Sequence, residues 1–278
     1  MIRDITPTEE YHLGHHKVLV KREDLCTEGD HAPPFSKMRG VYEHLQALKA
    51  AGSMVVGYTE TSISMAGWGV AWACHLLNMT AVIFYPIYKS TRPDLELLEK
   101  HREKWERFGA GIYPILAGRA KVNWYISKKI LARDFGPEAV MLPLGLPFRE
   151  TVEQTARQLR IGVRHDFRSL VCCVGSGTIC AGLLRGMIPG YGRLYGIMSR
   201  EGDPKRKKRE IENKAGQLIP MSGPLKVISP GWRYTQRSRV ECPFPCHPYY
   251  DLKAWQWLKE NITEVKGPVL FWNIGRSV

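Results

Sequence analysis

Two short stretches carry residue types whose spacing could do chemistry. The apolar run Val171-Cys172-Cys173-Val174 is followed directly by Gly175-Ser176-Gly177-Thr178, and then by a helical-looking stretch with Ala181, Gly182 and Leu183. Glycines let the backbone approach an anion closely, the free amides at a helix N-terminus supply hydrogen bonds, and the helix dipole favours negative charge. Ser176 and Thr178 can add hydroxyl donors, so the chemistry is that of a phosphate cradle. No Gly-Lys-Ser/Thr follows, which excludes a Walker A loop, and the third glycine of the dinucleotide fingerprint is missing. By itself the turn is read equally well as an ordinary tight connection. The second stretch is Pro33-Pro34-Phe35-Ser36-Lys37-Met38-Arg39-Gly40. A mostly apolar setting lowers the pKa of a lysine and leaves it uncharged part of the time, which makes it a nucleophile toward a carbonyl. The plainer reading is a surface lysine ahead of a helix.

Other reactive residue types give less. Cys242, Cys246 and His247 are the nearest approach to a metal pattern, but Pro243 and Pro245 interrupt them and no second pair follows, so they are read as packing and no metal is expected. His12, His15 and His16 have no carboxylate or cysteine companion and read as a solvated turn beside Gly14. Seven cysteines is an odd number, and most are expected to be buried thiols rather than a disulfide framework.

A frame must hold these residues, and the apolar pattern outlines it. Strands are expected at Lys17–Lys21, Met54–Tyr58, Ala81–Tyr85, Ile112–Leu116, Ala139–Leu142, Leu170–Val174, Arg193–Met198 and Val269–Trp272. Helices are expected at Tyr42–Ala51, Met65–Leu77, Pro93–Phe108 (closed by Gly109), Lys121–Phe135, Glu150–Leu159 and from Ile179 onward. Apolar strands separated by helices indicate parallel α/β sheets with right-handed crossovers, whose ligands bind at the carboxyl ends of strands. The loop at Gly175 stands at such an end. No repeat of solenoid or propeller length is visible. A chain of 278 residues with 44% hydrophobic content makes one large domain or two small ones and excludes disorder and collagen-like structure. The opening MIRDITPTEEY is polar and acidic and no apolar run is long enough for a membrane span, so a cytoplasmic protein without membrane partners is expected.

The lysine stretch, together with Lys21-Arg22-Glu23-Asp24-Leu25 before it, resembles the N-terminal segment of the pyridoxal-phosphate (PLP) enzymes of the tryptophan synthase β fold, fold type II. In that family the strand KREDL precedes a motif of the type Ser-Phe-Lys-x-Arg-Gly, whose lysine forms the Schiff base with the cofactor. The resemblance continues in order along most of the chain. Thr59–Ala71 resembles the Ser-x-Asn-His loop and the helix beneath the cofactor ring, and Gly175–Leu183 resembles the Gly-Ser-Gly-Gly-Thr-x-Ala-Gly-Leu phosphate loop. Pro248-Tyr249-Tyr250 with Lys253-Ala254 resembles the Pro-x-Tyr-x-x-Lys-Ala helix start of the aminocyclopropane carboxylate deaminase and D-cysteine desulfhydrase branch. Phe271–Arg276 stands where that branch ends its last strand in Thr-Gly-Gly. The resemblance implies a two-lobed α/β enzyme with parallel-sheet lobes and flanking helices, residues 1–51 and 146–278 forming the larger, PLP-binding lobe and 52–145 the smaller. It implies Lys37, Ser64 and Tyr250 as catalytic residues, with Gly175, Ser176, Gly177, Thr178, Ile179 and Asn273 joining Lys37 around the cofactor. Two positions depart from the family: Met65 stands where an asparagine meets the ring oxygen, and Ile274 where a threonine faces the ring nitrogen, with Asn273 the nearest polar substitute. Both positions tune electron withdrawal by the ring, so the bond broken at the α-carbon stays open. The family often forms dimers, so a homodimer is among the expectations.

Charge adds a second theme. The net charge is +13, and residues 200–239 hold 11 Lys+Arg against 4 Asp+Glu, so +7 of it is local. That segment contains Lys205-Arg206-Lys207-Lys208-Arg209 and the mixed stretch Trp232-Arg233-Tyr234-Thr235-Gln236-Arg237-Ser238-Arg239. Interleaved cations and aromatics hold phosphates and stack bases, although runs of charge are commonly only a solvated face. On the nucleic-acid reading Lys205, Arg206, Lys207, Lys208, Arg209, Arg233, Arg237 and Arg239 contact DNA. The amino-acid substrate is then carried on a DNA base and loses its carboxylate. Bacteriophage thymine-hypermodification pathways contain fold-type-II enzymes that act on an amino acid already attached to a base in DNA, and this chain is similar to them in being basic and short. Elimination or deamination of a small free amino acid, and a PLP fold that only binds nucleic acid, remain as alternatives.

Overall fold

Apolar side chains that alternate along short strands build two separate sheets in this chain. The computed structural model describes residues 1–89, 95–163, 166–188, 192–216 and 224–277. In chain order the elements are β1 (Thr8–Leu13), β2 (His16–Arg22), α1 (Met38–Ala50), β3 (Val55–Thr59), α2 (Ala66–Leu76), β4 (Thr80–Ile87), α3 (Leu95–Arg107), β5 (Gly111–Leu116) and α4 (Ala120–Phe135). They continue with β6 (Val140–Met141), α5 (Arg149–Ile161), β7 (Ser169–Val174), α6 (Thr178–Gly186), β8 (Arg193–Met198), α7 (Pro204–Ala215), β9 (Leu225–Ile228), α8 (Asp251–Asn261) and β10 (Val269–Asn273). Each strand and helix expected from the apolar runs is present, Arg193–Met198 with the same ends and the others with shifted ones; the expected helix start at Pro93 lies outside the described residues.

The chain divides into two units, one of Met1–Glu28, Pro34–Gly40 and Phe148–Val278 and the other of Gly29–Pro33 and Val41–Pro147. The larger unit contains a six-stranded sheet in the order β1-β2-β10-β7-β8-β9, parallel except for the β1/β2 hairpin. Its strands are apolar on both faces because helices cover both. Leu170, Cys172, Val174, Leu194, Leu270 and Trp272 pack with residues of α5, α6 and α7 on one side. Val171, Cys173, Tyr195, Ile197, Val269 and Phe271 pack with α8 on the other. The smaller unit contains a four-stranded parallel sheet in the order β5-β4-β3-β6, with Val82, Phe84, Ile115, Leu131 and Met141 in its core. A Cβ on Gly40 would lie 2.2 Å from the Thr151 nitrogen, so the first turn of α1 meets α5 backbone to backbone.

Three elements correct the sequence reading. The expected solvated turn beside Gly14, which has φ +58, is present and closes a hairpin that was not expected, with His12 in β1 and His16 opening β2. The edge strand β1 (TEEYHL) has no apolar run to announce it. The run Lys205 to Arg209 is helix α7, begun by Asp203, whose carboxylate accepts the Lys205 amide at 2.8 Å, and by Pro204 in the first turn. Its apolar face is only Ile211 and Ala215, too sparse to stand out among the charges. The short β9 is likewise unannounced. Five of the seven cysteines are buried thiols. Among the described residues no helix is long and apolar enough to cross a membrane, and no cluster of His, Cys, Asp or Glu could hold a metal.

Candidate active site

Lys37 stands at the end of a short segment that is tied to the chain terminus beyond β10. The Ser36 amide donates to the Ile274 carbonyl at 2.8 Å, the Arg276 amide to the Pro34 carbonyl at 3.2 Å, and the Cys26 thiol to the Phe35 carbonyl at 2.8 Å. The other edge of that terminus is held by Asp251, the first residue of α8, whose carboxylate accepts the amides of Ile274 at 3.0 Å and Gly275 at 3.2 Å. Burial, with a smaller rise from Asp24 and against the pull of the two amides, pushes this carboxyl up to about 8.

The turn after β7 delivers Gly175-Ser176-Gly177 to the N-terminus of α6. Gly177 has φ +83, and a Cβ there would lie 2.8 Å from Ile211 Cγ1, so both its conformation and its packing require glycine. Among the described residues the amides of Ser176 and Gly177 donate to nothing. Lys37 Nζ donates to Ser176 Oγ at 3.1 Å, and Ser176 Oγ lies 3.1 Å from Thr178 Oγ1. Lys214 Nζ, from α7, donates to the Ser176 carbonyl. Burial, and after it the charge of Lys214, pulls the Lys37 ammonium down to about 7. The segment and the turn therefore place a nucleophilic amine beside unpaired amides at a helix N-terminus. PLP, an aldehyde with a phosphate, requires that pairing, and the residues present fit it.

The other expected site residues fall in different places. Thr178 is buried with its hydroxyl in the loop, and Ile179 sits in the core, so only the Ile179 amide can serve an anion. A Cβ built on Gly175 would lie 3.8 Å from Tyr250, whose hydroxyl is 3.0 Å from that of Tyr234. Asn273 is fully buried and commits both amide hydrogens, to Asp24 Oδ1 and the Pro245 carbonyl, each at 2.9 Å. Its Oδ1 accepts from the Cys246 thiol at 3.4 Å. It closes the end of β10 with both amide hydrogens committed within the protein, so its side chain can offer a ring only the Oδ1 acceptor. Ser64 belongs to the smaller unit, where its Oγ accepts the Ala66 amide at 3.1 Å at the start of α2. The same turn holds Glu60, buried, accepting the amides of Thr61 at 2.8 Å and of Gly67, and pushed by burial up to about 8.

Sequence reasoning missed Asp251, Lys214 and Glu60, since nothing in their local pattern marks them. Lys253 had a signal in the Lys-Ala motif. Its buried ammonium donates to the carbonyls of Ser199 at 2.7 Å, Arg233 at 3.0 Å and Tyr234 at 3.5 Å, stapling the segment 229–240 against the sheet.

The expected nucleic-acid residues divide into two sets. On α7, Lys207 is not a free surface cation: it pairs with Glu210 at 2.5 Å, and its Cδ lies 3.9 Å from a Cβ built on Gly177. Arg206 pairs with Glu210 at 3.2 Å and Lys208 with Glu212 at 3.6 Å. Lys205, Arg209, Arg233, Arg237 and Arg239 are exposed and have no carboxylate within ion-pair distance among the described residues. Arg237 and Arg239 line a groove of about 570 Å³ together with Cys246, Pro248, Leu252 and Ser277.

No protein-family profile matches the chain. It is 35% identical over 288 aligned positions, covering 99% of this chain and all of the relative, to the glycyl-dTMP PLP-dependent decarboxylase of Pseudomonas phage M6. Among solved structures it is similar to an ACC deaminase homologue (TM-score 0.77, 20% identity, 99% of this chain and 90% of that one). It is also similar to maize serine racemase (TM-score 0.68, 13% identity, 98% and 89%). A PLP-dependent aspartate racemase is comparable (TM-score 0.67, 13% identity, 98% and 90%). These likenesses establish the fold as fold type II.

Proposed function

The chain belongs to the family of the phage glycyl-dTMP PLP-dependent decarboxylase, and on that premise we propose that it removes the carboxylate of an aminoacyl group carried on a thymine base of DNA. It is a PLP-dependent lyase. The observation that carries the reading is Lys37 Nζ at 3.1 Å from Ser176 Oγ, on the lip of a loop whose amides are unpaired. When bound, PLP supplies an electron-poor ring that takes up the electron pair left at the α-carbon when a bond there breaks.

The chain's own residues do the rest. The amides of Ser176 and Gly177 and the N-terminus of α6 bind the phosphate, with Ser176 and Thr178 adding hydroxyls. Lys37 Nζ, poised near 7, gives up a proton to act as nucleophile and later returns one to the substrate. In the overall step the bond from the α-carbon to the carboxylate breaks, carbon dioxide leaves, and the carbon takes a proton from Lys37 Nζ. Tyr250, its hydroxyl bonded to Tyr234, is the substrate-side hydroxyl of this unit. Ser64 is carried by the resemblance alone.

Lys205, Arg209, Arg233, Arg237 and Arg239 are the principal backbone contacts, because their charges are exposed and uncompensated. Arg206 and Lys208 add to them, since exposed helix pairs hold a cation only weakly. The reading puts the reaction in the cytoplasm and takes the chain as a homodimer, the latter to be checked by light scattering.

The test is to incubate the PLP-loaded protein with DNA containing glycyl-thymine, digest the DNA, and analyse the nucleosides by mass spectrometry. The expected product is lighter by one carbon dioxide. An unchanged nucleoside together with turnover of a free amino acid would overturn the reading.

A further inference from the structure

Helix α7 has two faces with different neighbours. Lys207, Ile211 and Lys214 recur at helical spacing and all meet the turn after β7. Lys207 and Ile211 pack beside Gly177, and Lys214 Nζ donates to the Ser176 carbonyl. The Ser176–Gly177 peptide is planar, so its carbonyl and its N–H point in opposite directions. A carbonyl held by Lys214 on the α7 side turns the Gly177 amide to the opposite side, where it has no partner among the described residues.

We propose that Lys214 is a positioning residue for the cofactor site: it fixes the Ser176–Gly177 peptide so that the Gly177 amide faces the phosphate, and it places a cation behind the loop that carries both Ser176 and, through the Ser176 hydroxyl, the Lys37 amine. The helix that displays the basic run on its outer face thus serves the phosphate loop with its inner face. Lys207, paired with Glu210, contributes its stem and not a free charge. Two effects follow from one side chain. The anion site is strengthened by an oriented amide and a nearby positive charge. Lys37 Nζ is held further from its ordinary ionisation, in keeping with Lys214 as the charge that lowers it after burial.

The experiment compares the parent with Lys214→Met and Lys214→Arg as full chains freed of cofactor. The first readout is the affinity for PLP and for pyridoxal, which lacks the phosphate. At about pH 9, where Lys37 is uncharged in parent and variants alike, Lys214→Met is expected to weaken PLP roughly tenfold while leaving pyridoxal unchanged, and Lys214→Arg to restore PLP. The second readout is the pH dependence of Lys37 acetylation by acetic anhydride, followed by mass spectrometry of the Lys37 peptide. Its midpoint should rise by about half a unit or more in Lys214→Met and return in Lys214→Arg. Should Lys214→Met not fold, Lys214→Gln, which keeps a donor for the Ser176 carbonyl and loses the charge, carries the acetylation measurement with the same expected rise. Equal weakening of PLP and pyridoxal, no weakening of either, or an unmoved Lys37 midpoint in the folded uncharged variant would each overturn the proposal.

Discussion

At the scale of single residues, the chemistry rests on an amine that is half discharged near neutrality. With Lys37 pulled down to about 7, its uncharged fraction rises with pH through that value, so uptake of PLP should accelerate between roughly pH 6 and 8 and level off above. Stopped-flow absorbance checks this, and a rate that is flat across the range counts against the assignment. Borohydride should fix the cofactor on Lys37, with the label absent from Lys37→Ala, which should also lower turnover at least a hundredfold. In the loop, Gly177→Ala faces a left-handed φ of +83 and Ile211 at 2.8 Å and should weaken PLP at least tenfold. Ser176→Ala removes one hydroxyl and should cost a few-fold; equal effects in a titration would return the loop to the status of an ordinary turn. On the proposed assignment, Lys37 and the glycines stand out in the sequence because the chemistry dictates their residue types. Lys214 and Asp251 do not, since each acts on backbone groups that folding brings to it from a distant stretch.

At the scale of elements, the segment bearing Lys37 inherits its position from β10 through hydrogen bonds, and β10 ends on the carboxylate of α8. Asp251→Asn keeps the shape but can accept from only one of the two amides without turning its own NH2 toward the other. A loss of about 1–3 kcal/mol is expected, with faster hydrogen exchange at Ile274 and Gly275. The sign of the pH effect follows from the folded value of about 8 lying above the ordinary 3.8. The stability contributed by the protonated carboxyl is present in acid and declines as pH rises through this window, and Asp251→Asn should flatten that part of the stability curve. An unchanged slope in denaturant titrations at several pH values would count against this. The parallel strands were legible as apolar runs bounded by turns. The edge strand β1 and helix α7 were not: one has only Tyr11 and Leu13 after two adjacent glutamates, and the other buries only Ile211 and Ala215.

At the scale of the whole molecule, the net charge of +13 concerns association more than folding. Neutralising Lys205, Arg206, Lys208 and Arg209 together, and sparing Lys207 because its stem packs beside the phosphate loop, should weaken DNA binding and flatten its dependence on salt. The log–log slope should fall by roughly 0.9 for each duplex phosphate that no longer meets a cation, with PLP affinity unchanged. Salt titrations by fluorescence anisotropy test this, and a parent without measurable DNA affinity at physiological salt would remove the nucleic-acid interface from the account. Composition made that surface visible but not its division, because which cations are compensated is decided by helix pairing and tertiary contact. The stretch from Trp232 to Arg239 has no helix or strand of its own, yet the buried Lys253 ammonium grips the carbonyls of Arg233 and Tyr234. An irregular segment that would otherwise lose its freedom on meeting a partner has thus met part of that entropic cost during folding, so on the proposed reading a DNA strand would find Arg233 preorganised. In Lys253→Met the same cations would hang on a looser tether, and measured affinity should fall with a less favourable binding entropy even though no contacting group has been removed.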